Sequence, residues 1–267
     1  MRRFLKRYSG FARCSMEVQL AYRKSFFVQS ISSLVGIMVS IFLWKALFAE
    51  QSTVQGYDWN QMILYALIAA LVNATMSFGL ELDMGGRILD GAIASDLTKP
   101  VDFQNMCFFQ TIGQASIEGL ITLVLVVSVA VLVTDLSAYL APWRLLLFGI
   151  SLLLAFFLKF CLVYLGVLMC FFTSNGYGVV YLRQVICDVF SGAMLPISFY
   201  PLWFQRLAGV LPFQASVYLP TQIFLGRIDG YEIVRVLVLQ IIWGVALWVF
   251  GKLFFRFAVR KITIQGG

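Results

Sequence analysis

Apolar residues fill six long stretches of the chain, and segments that hold charges, glycine or proline separate them. The first stretch, residues 25–44, contains no charge and is bounded by Lys24 and Lys45. A helix rises about 1.5 Å per residue and the hydrocarbon core of a bilayer is about 30 Å thick, so a stretch of this length can cross it. The pattern predicts an all-α polytopic membrane protein with six transmembrane helices. Their predicted positions are residues 25–47, 60–82, 104–132, 143–172, 178–197 and 232–255.

Composition supports this interpretation, because 61% of the 267 residues are hydrophobic and 12% are charged. A soluble domain of this length has no core large enough to bury so much apolar sequence, so residues 1–267 are predicted to form one transmembrane domain. The absence of histidine excludes histidine catalysis and imidazole metal ligation. The five cysteines form no CxxC pair and are interpreted as packing residues. An integral membrane enzyme is disfavoured, since the spans hold no carboxylate cluster either.

Positive charge concentrates at the two ends of the chain, which has a net charge of +7. Basic residues next to spans mark the cytoplasmic side, and an even number of spans places both termini there. The loops at residues 48–59, 133–142 and 198–231 are then predicted to face outward. The basic residues at the two ends are Arg2, Arg3, Lys6, Arg7, Arg13, Arg23 and Lys24, and Arg256, Arg260 and Lys261.

The segment before the first span, residues 1–24, has apolar side chains at helical spacing opposite its basic ones. This pattern predicts an amphipathic helix in the cytoplasmic headgroup layer. The alternative is a basic topology signal without defined structure. The apolar positions are Phe4, Leu5, Tyr8, Phe11 and Ala12.

The loop after the second span, residues 81–103, holds five of the thirteen acidic residues. Gly85 and Gly86 are expected to break the preceding helix, and Pro100 to stop helix before the third span. Between these breakers lies an apolar stripe with two carboxylates on other faces, which predicts a short amphipathic docking helix on the cytoplasmic side. A solvated loop is the alternative. The stripe consists of Ile88, Leu89, Ile93 and Leu97, and the carboxylates are Asp90 and Asp96.

The predicted outer segment, residues 198–231, is too apolar for a free loop, and prolines divide it into pieces too short to span. Apolar segments of about 10–14 residues are typical of re-entrant or interfacial structure. We therefore expect two short helices, near 200–210 and 214–225, that dip into the outer leaflet and turn at Pro212.

Four charged residues lie within or close to the predicted spans: Glu118, Lys159, Arg183 and Asp188. An ionised group at the centre of a membrane helix costs at least about 2.5–3.5 kcal/mol. By helical rise, Lys159 lies at a depth similar to those of the two carboxylates, whereas Arg183 can snorkel to the cytoplasmic surface. Two interpretations remain open. The charges form a neutralising pair that fixes packing, or they line a permeation path.

The chain resembles the membrane subunit of type-2 ATP-binding-cassette (ABC) exporters, in particular a bacterial subfamily long described only as a domain of unknown function. Motifs along essentially the whole chain carry the resemblance through their order and spacing. These motifs are YRKSFF at 22–27, LWKALF at 43–48, GGRILDGAIASDLTKPVDF at 85–103, SGAMLPISFYPLWF at 191–204, LPF at 211–213, IFLG at 223–226 and KITIQGG at 261–267.

The resemblance implies a non-catalytic permease of the bacterial inner membrane, with an interfacial helix, six spans, a coupling helix and re-entrant helices. Two permeases would work with two ATPase subunits, and the second permease is expected to be a related chain rather than a copy of this one. The sequence has no GxxxxGK[ST] loop, so no cofactor is expected on this chain, and ATP and Mg²⁺ are expected on the partner ATPase. The segment 84–99 would dock into that ATPase. Its expected coupling residues are Arg87, Ile88, Leu89, Asp90, Ile93, Asp96 and Leu97.

One alternative to an ABC permease stays open. An ion-coupled secondary transporter or a channel would use Glu118, Lys159 and Asp188 as a relay, and it would need no ATPase. The sequence does not indicate the substrate in either case.

Overall fold

The computed structural model describes residues 2–21, 23–74, 79–173 and 176–261, and within these ranges the chain is built from α-helices joined by turns and short 3₁₀ segments. In chain order the helices are α1 (Arg2–Ala21), α2 (Arg23–Leu47), α3 (Trp59–Ala74), α4 (Gly79–Leu89), α5 (Ile93–Leu97), α6 (Phe103–Val133), α7 (Pro142–Met169), α8 (Gly176–Phe190), α9 (Leu202–Val210), α10 (Tyr218–Phe224) and α11 (Tyr231–Ala258).

Four described segments are long and apolar enough to cross a membrane. They lie in α2, α6, α7 and α11, at the positions predicted for the first, third, fourth and sixth spans. The second predicted span corresponds to the shorter apolar helix α3 followed by α4, and residues 75–78 between them lie outside the described residues. The fold is therefore that of an all-helical, multi-pass membrane protein. The segments are Ser30–Leu47, Phe103–Val133, Pro142–Phe172 and Tyr231–Ala258.

The helix at the fifth predicted span, residues 178–197, is shorter than predicted, because α8 ends at Phe190. Gly192 follows with φ +80°, a backbone conformation that glycine adopts readily. Its carbonyl oxygen accepts a hydrogen bond of 2.5 Å from the Tyr65 hydroxyl, and the Ser191 carbonyl accepts one of 3.0 Å from the amide of Tyr218. The chain thus turns back onto α3 and α10. The turn predicted at residues 173–178 is also shorter, since α8 begins at Gly176. Ser174 and Asn175 lie outside the described residues.

The two short helices predicted around Pro212 are confirmed as α9 and α10, and Pro212 itself is buried between them. Helix α10 packs against α7 and α3. The backbone between α9 and α10 is satisfied by a distant side chain, because the amide of Gln240 on α11 donates to the Ala215 carbonyl oxygen at 2.8 Å. Non-helical backbone is tolerated at membrane depth where protein groups satisfy it in this way. The immersion of this segment in the outer leaflet stays a prediction.

The loops at residues 48–58 and 134–141 meet the segment 191–230 at one end of the bundle, named here the outer end after the predicted topology. The guanidinium of Arg227 lies 3.7 Å from the ring centre of Tyr57 and donates to the Gly56 carbonyl at 3.1 Å. The rings of Tyr139 and Phe224 stack with centres 6.1 Å apart. The opposite end, named the inner end, carries α4, α5 and the end of α11.

The predicted N-terminal helix forms as α1, and it packs along α6. The Tyr8 hydroxyl accepts a 3.0 Å hydrogen bond from the amide of Asp102, and Ala12 lies against Gly113 so closely that a Cβ at Gly113 would overlap the Ala12 carbonyl. The predicted apolar stripe thus faces α6 at Tyr8, Phe11 and Ala12. The side chains of Phe4 and Leu5 lie outside the described part of the chain. A position in the headgroup layer stays a prediction.

The segment predicted as one amphipathic helix over residues 88–97 is divided in the structure. Helix α4 continues through Gly85 and Gly86, so these glycines do not break it. The missing side chain of Gly85 instead gives room to Cys170, since a Cβ there would lie 3.3 Å from the Cys170 Sγ. The break falls at Gly91, with φ +73°, and the short helix α5 follows.

The close contact of α1 with α6 generates the first prediction. Gly113→Ala should destabilise the protein, because the new Cβ meets backbone that cannot move aside without displacing α1. Gly149→Ala in α7 is the matched control, since nothing lies within 4 Å of a Cβ there and alanine is favoured in helices by up to about 1 kcal/mol. We expect a lower melting temperature and faster proteolysis within α1 for Gly113→Ala only. Equal stability of both variants would contradict the packing of α1 on α6.

Candidate functional site

A cavity of about 370 Å³ lies between α2, α3, α7 and α8 and is closed at one side by the outer segment. Its α2 wall combines the small residues Ser33, Gly36 and Ser40 with Ile37 and Ile41. Three of the four charged residues singled out from the sequence line it: Lys159, Arg183 and Asp188. These residues come from two helices that meet only in the folded chain, so the cavity is the candidate functional site.

Lys159 on α7 is buried, with 9% of its surface exposed, and it binds the end of α3. Its Nζ donates to the carbonyl oxygen of Val72 at 3.1 Å and to Oδ1 of Asn73 at 2.8 Å. Lys159 therefore links α7 to α3 inside the bundle through one backbone and one side-chain acceptor.

Arg183 on α8 pairs with Glu81 on α4, a carboxylate that is fully buried. Nε contacts Oε1, and Nη2 donates to Oε2 at 2.6 Å, which is the two-pronged geometry that makes arginine–carboxylate pairs strong. Gly166 on α7 makes room for this pair, because a Cβ there would overlap the Glu81 carboxylate. The Arg183 Nη1 also points to the Cys187 Sγ at 3.6 Å.

Glu81 was not identified as a site residue from the sequence, where it only marks the end of the second predicted span. The spacing of residues around Glu81 in the sequence nevertheless indicates that its side chain is buried. Glu81 lies at helical spacing with Met84, Gly85 and Ile88, and this face of α4 packs into the core. A carboxylate on the buried face of a helix requires a partner, and that requirement predicts a buried cation.

Asp188 is half-buried at the cavity wall, which it shares with Lys159. Among the described residues, the Asp188 carboxylate has no hydrogen bond or ion pair, and Lys159 has no ion pair within 4 Å. Glu118 lies elsewhere, on α6, where it accepts a hydrogen bond from Gln19 of α1 at 3.0 Å. The structure thus brings Lys159 and Asp188 to one cavity and does not bring Glu118 to Lys159.

The predicted coupling residues lie at the inner end. Asp96 on α5 is buried, with Oδ2 at 2.6 Å from the Arg87 guanidinium and Oδ1 at 2.7 Å from Lys99 Nζ. The Arg87 pair and the burial of Ile93 in the core beside Met84 hold α5 against α4, and the Lys99 pair closes the turn that follows α5.

The remaining predicted coupling residues differ in exposure. Asp90 is exposed in the turn between the two helices, and Ile88 and Leu97 are half-buried against the same core. The side chain of Leu89 lies outside the described part of the chain. The exposed face of the turn and α5 is formed by Asp90, Gly91, Ala92, Ala94, Ser95 and Thr98.

The cavity and the inner end are connected by α4, which carries both Glu81 and Arg87. Within the described residues, no group of three or more acidic or thiol side chains lies close enough to hold a metal ion. The groups that the cavity presents include charged and hydroxyl side chains from α2, α7 and α8.

Comparison with known proteins identifies the family. The profile of the ABC-2 family transporter proteins matches residues 34–266, and the chain therefore belongs to this family as an ABC-2 type membrane permease. Comparisons with curated proteins and with solved structures gave no match.

The ion pair at the cavity generates the second prediction. Glu81→Gln should destabilise the protein strongly, since breaking a buried pair from one side typically costs about 3–5 kcal/mol. Adding Arg183→Gln should recover part of that loss because no buried charge then lacks a partner. Glu17→Gln in the exposed Arg13–Glu17 pair is the matched control and should change little. Thermal unfolding in detergent measures all three. A double variant no more stable than Glu81→Gln alone would show that the pair is not coupled.

Proposed function

We propose that this chain is the transmembrane subunit of an ATP-driven exporter, which forms the translocation path with a second, related permease and is driven by a separate ATPase. Membership of the ABC-2 family supports this proposal, and the α4–α5 segment is the observation in the structure that favours it most. A docking element must be rigid and must present an exposed face. The Asp96 ion pairs and the burial of Ile93 supply the rigidity, and the exposed residues from Asp90 to Thr98 supply the face.

In this proposal the α4–α5 segment transmits movement of the ATPase to the cavity. The ATPase binds ATP and Mg²⁺, and its closure pushes on the exposed face of α5. Because α5 is held to α4 by Asp96, and α4 is held to α8 by the Glu81–Arg183 pair, the push reaches the cavity wall. The permease itself needs no catalytic residue for this. Buried Ile93 and Asp96 hold the segment in shape, while the exposed residues contact the ATPase.

The first test of this proposal alters the exposed face without disturbing the core. Ala94→Arg places a long cation on α5 at an exposed position, so the permease should fold normally and lose its ATPase. The matched control is Thr53→Arg, a similar exposed change in the outer loop. The tagged chain is purified from native membranes in mild detergent. A polypeptide with a GxxxxGK[ST] motif should co-purify with Mg-ATP hydrolysis in the wild type and in Thr53→Arg, and both should be lost in Ala94→Arg.

Two results would contradict the proposal. One is ATPase association and ATP-dependent transport that are unchanged in Ala94→Arg. The other is transport by the purified chain alone that follows an ion gradient and ignores ATP, which is the behaviour of the secondary transporter considered as an alternative.

Topology is part of the same proposal: six spans in the bacterial inner membrane, both termini in the cytoplasm and α1 at its surface. In a Cys14→Ser background, which removes the exposed native thiol and keeps the four buried ones, a cysteine at Thr53 should react with an impermeant maleimide in intact cells. A cysteine at Ser95 should react only after the membrane is opened. The reverse labelling pattern would invert the orientation and move the α5 face away from any cytoplasmic ATPase.

A further inference from the structure

The cavity contains two opposite charges that are not paired with each other. Lys159 Nζ carries three N–H donors, and two of them are used by neutral acceptors, the Val72 carbonyl and the Asn73 amide oxygen. The Asp188 carboxylate accepts no hydrogen bond from the described residues. The other cation of the cavity, Arg183, is already neutralised by Glu81. Lys159 and Asp188 therefore keep unused bonding capacity at the wall of one cavity.

We propose that the cavity binds a small zwitterionic group, whose ammonium end pairs with Asp188 and whose acidic end pairs with Lys159. This inference rests on the proposed transport function, because it names the chemical class of the molecule that is carried.

Charge balance inside the bundle favours a ligand that carries both signs. A simple anion would meet Lys159 but would be repelled by Asp188, and a simple cation would meet Asp188 but would be repelled by Lys159. Charge–charge energies are larger in a medium of low dielectric constant than in water, so these repulsions are not screened away. An uncharged ligand would leave both protein charges without an ion-pair partner. A zwitterion satisfies both groups and adds no net charge to the site.

The remaining walls set the size and polarity of the ligand. The volume of about 370 Å³ lies near the lower end of the range of about 300–1,000 Å³ for small-molecule sites. The lining includes Ser33, Ser40 and Ser216 together with apolar residues such as Ile37 and Leu67. This fits a compact group rather than a large apolar body. Such a group is either a free zwitterion of the size of a dipeptide or the headgroup of a zwitterionic lipid.

Binding to the full-length chain in detergent, without ATP or an ATPase, tests the proposal. The free probes are dialanine, N-acetyl-dialanine, which lacks the cation, and dialanine methyl ester, which lacks the anion. The lipid probes are dihexanoyl-phosphatidylethanolamine and the anionic dihexanoyl-phosphatidylglycerol. We expect the zwitterionic member of at least one set to bind at least about tenfold more tightly than its singly charged analogues, as expected for losing one charged hydrogen bond. Binding of dialanine indicates a free substrate, and binding of the phosphatidylethanolamine alone indicates a lipid headgroup.

Two substitutions assign the ends of the ligand. Asp188→Asn is nearly isosteric and should weaken binding of the zwitterion at least about tenfold. The zwitterion should then bind no better than its anionic analogue. Lys159→Gln keeps an N–H donor for Val72 and Asn73 and should abolish the preference over the cationic analogue. Glu118→Gln is the matched control, because it removes a carboxylate on α6 that does not line the cavity, and it should leave all affinities unchanged.

The proposal is overturned if no zwitterionic probe binds the wild-type chain, if singly charged analogues bind equally well, or if Asp188→Asn leaves the preference intact. If Lys159→Gln does not fold, Asp188→Asn still tests the proposal, because the affinities of the zwitterionic and anionic probes can be compared in that variant. Ligand binding is measured without nucleotide, so a negative result contradicts only the zwitterion proposal and not the ATP-driven function. Conversely, a chain that binds no ATPase can still be tested for ligand binding.

Discussion

The buried ion pair between Glu81 and Arg183 joins three helices that otherwise carry different parts of the molecule. Glu81 belongs to α4, which leads to the exposed turn and α5, whereas Arg183 belongs to α8, which forms a wall of the cavity. The pair passes α7 at Gly166, where a larger side chain would overlap the carboxylate. A carboxylate with no exposed surface is tolerated only while its partner stays in place. This pair and the apolar packing of α4 on α7 therefore hold the inner end and the cavity in a fixed relation.

The same requirement, that polar groups inside an apolar bundle find partners, explains the remaining buried contacts. Lys159 donates to the carbonyl of Val72 and the amide oxygen of Asn73, and the turn after α8 is satisfied by the hydroxyl of Tyr65. Gln240 uses its amide for the carbonyls of both Ser151 and Ala215 and accepts from the Ser151 hydroxyl, which fixes α11 to α7 and to the outer segment. The turn after α8 and the backbone between α9 and α10 thus each receive a hydrogen bond from a side chain in a distant part of the chain.

The sequence predicts the long apolar helices well because their signal is local: residues 103–133 and 231–258 are each predominantly apolar, with Glu118 the one charge in the first and the charges of the second near its ends. It also predicts the two short helices around Pro212, since proline acts on its own neighbourhood. What it does not predict depends on contacts between distant residues. Glu81 and Arg183 are 102 residues apart, and the acceptors of Lys159 are a backbone carbonyl and an amide, which no charge pattern indicates. The end of α8 likewise depends on Gly192 meeting Tyr65 and Tyr218.

In the α4–α5 segment the apolar pattern was correct, but the single helix predicted from it was not. Residues 88–97 do carry an apolar stripe, but the stripe is used by the protein's own core, with Ile93 packed beside Met84 and Phe103. An amphipathic pattern states that one face is buried and does not state against what. The face left for a partner is therefore the polar one, and the contact with an ATPase would depend on shape and hydrogen bonding at α5 more than on burial of apolar surface. Such a contact can be made and released during each cycle, because little apolar area would be exposed when the subunits separate.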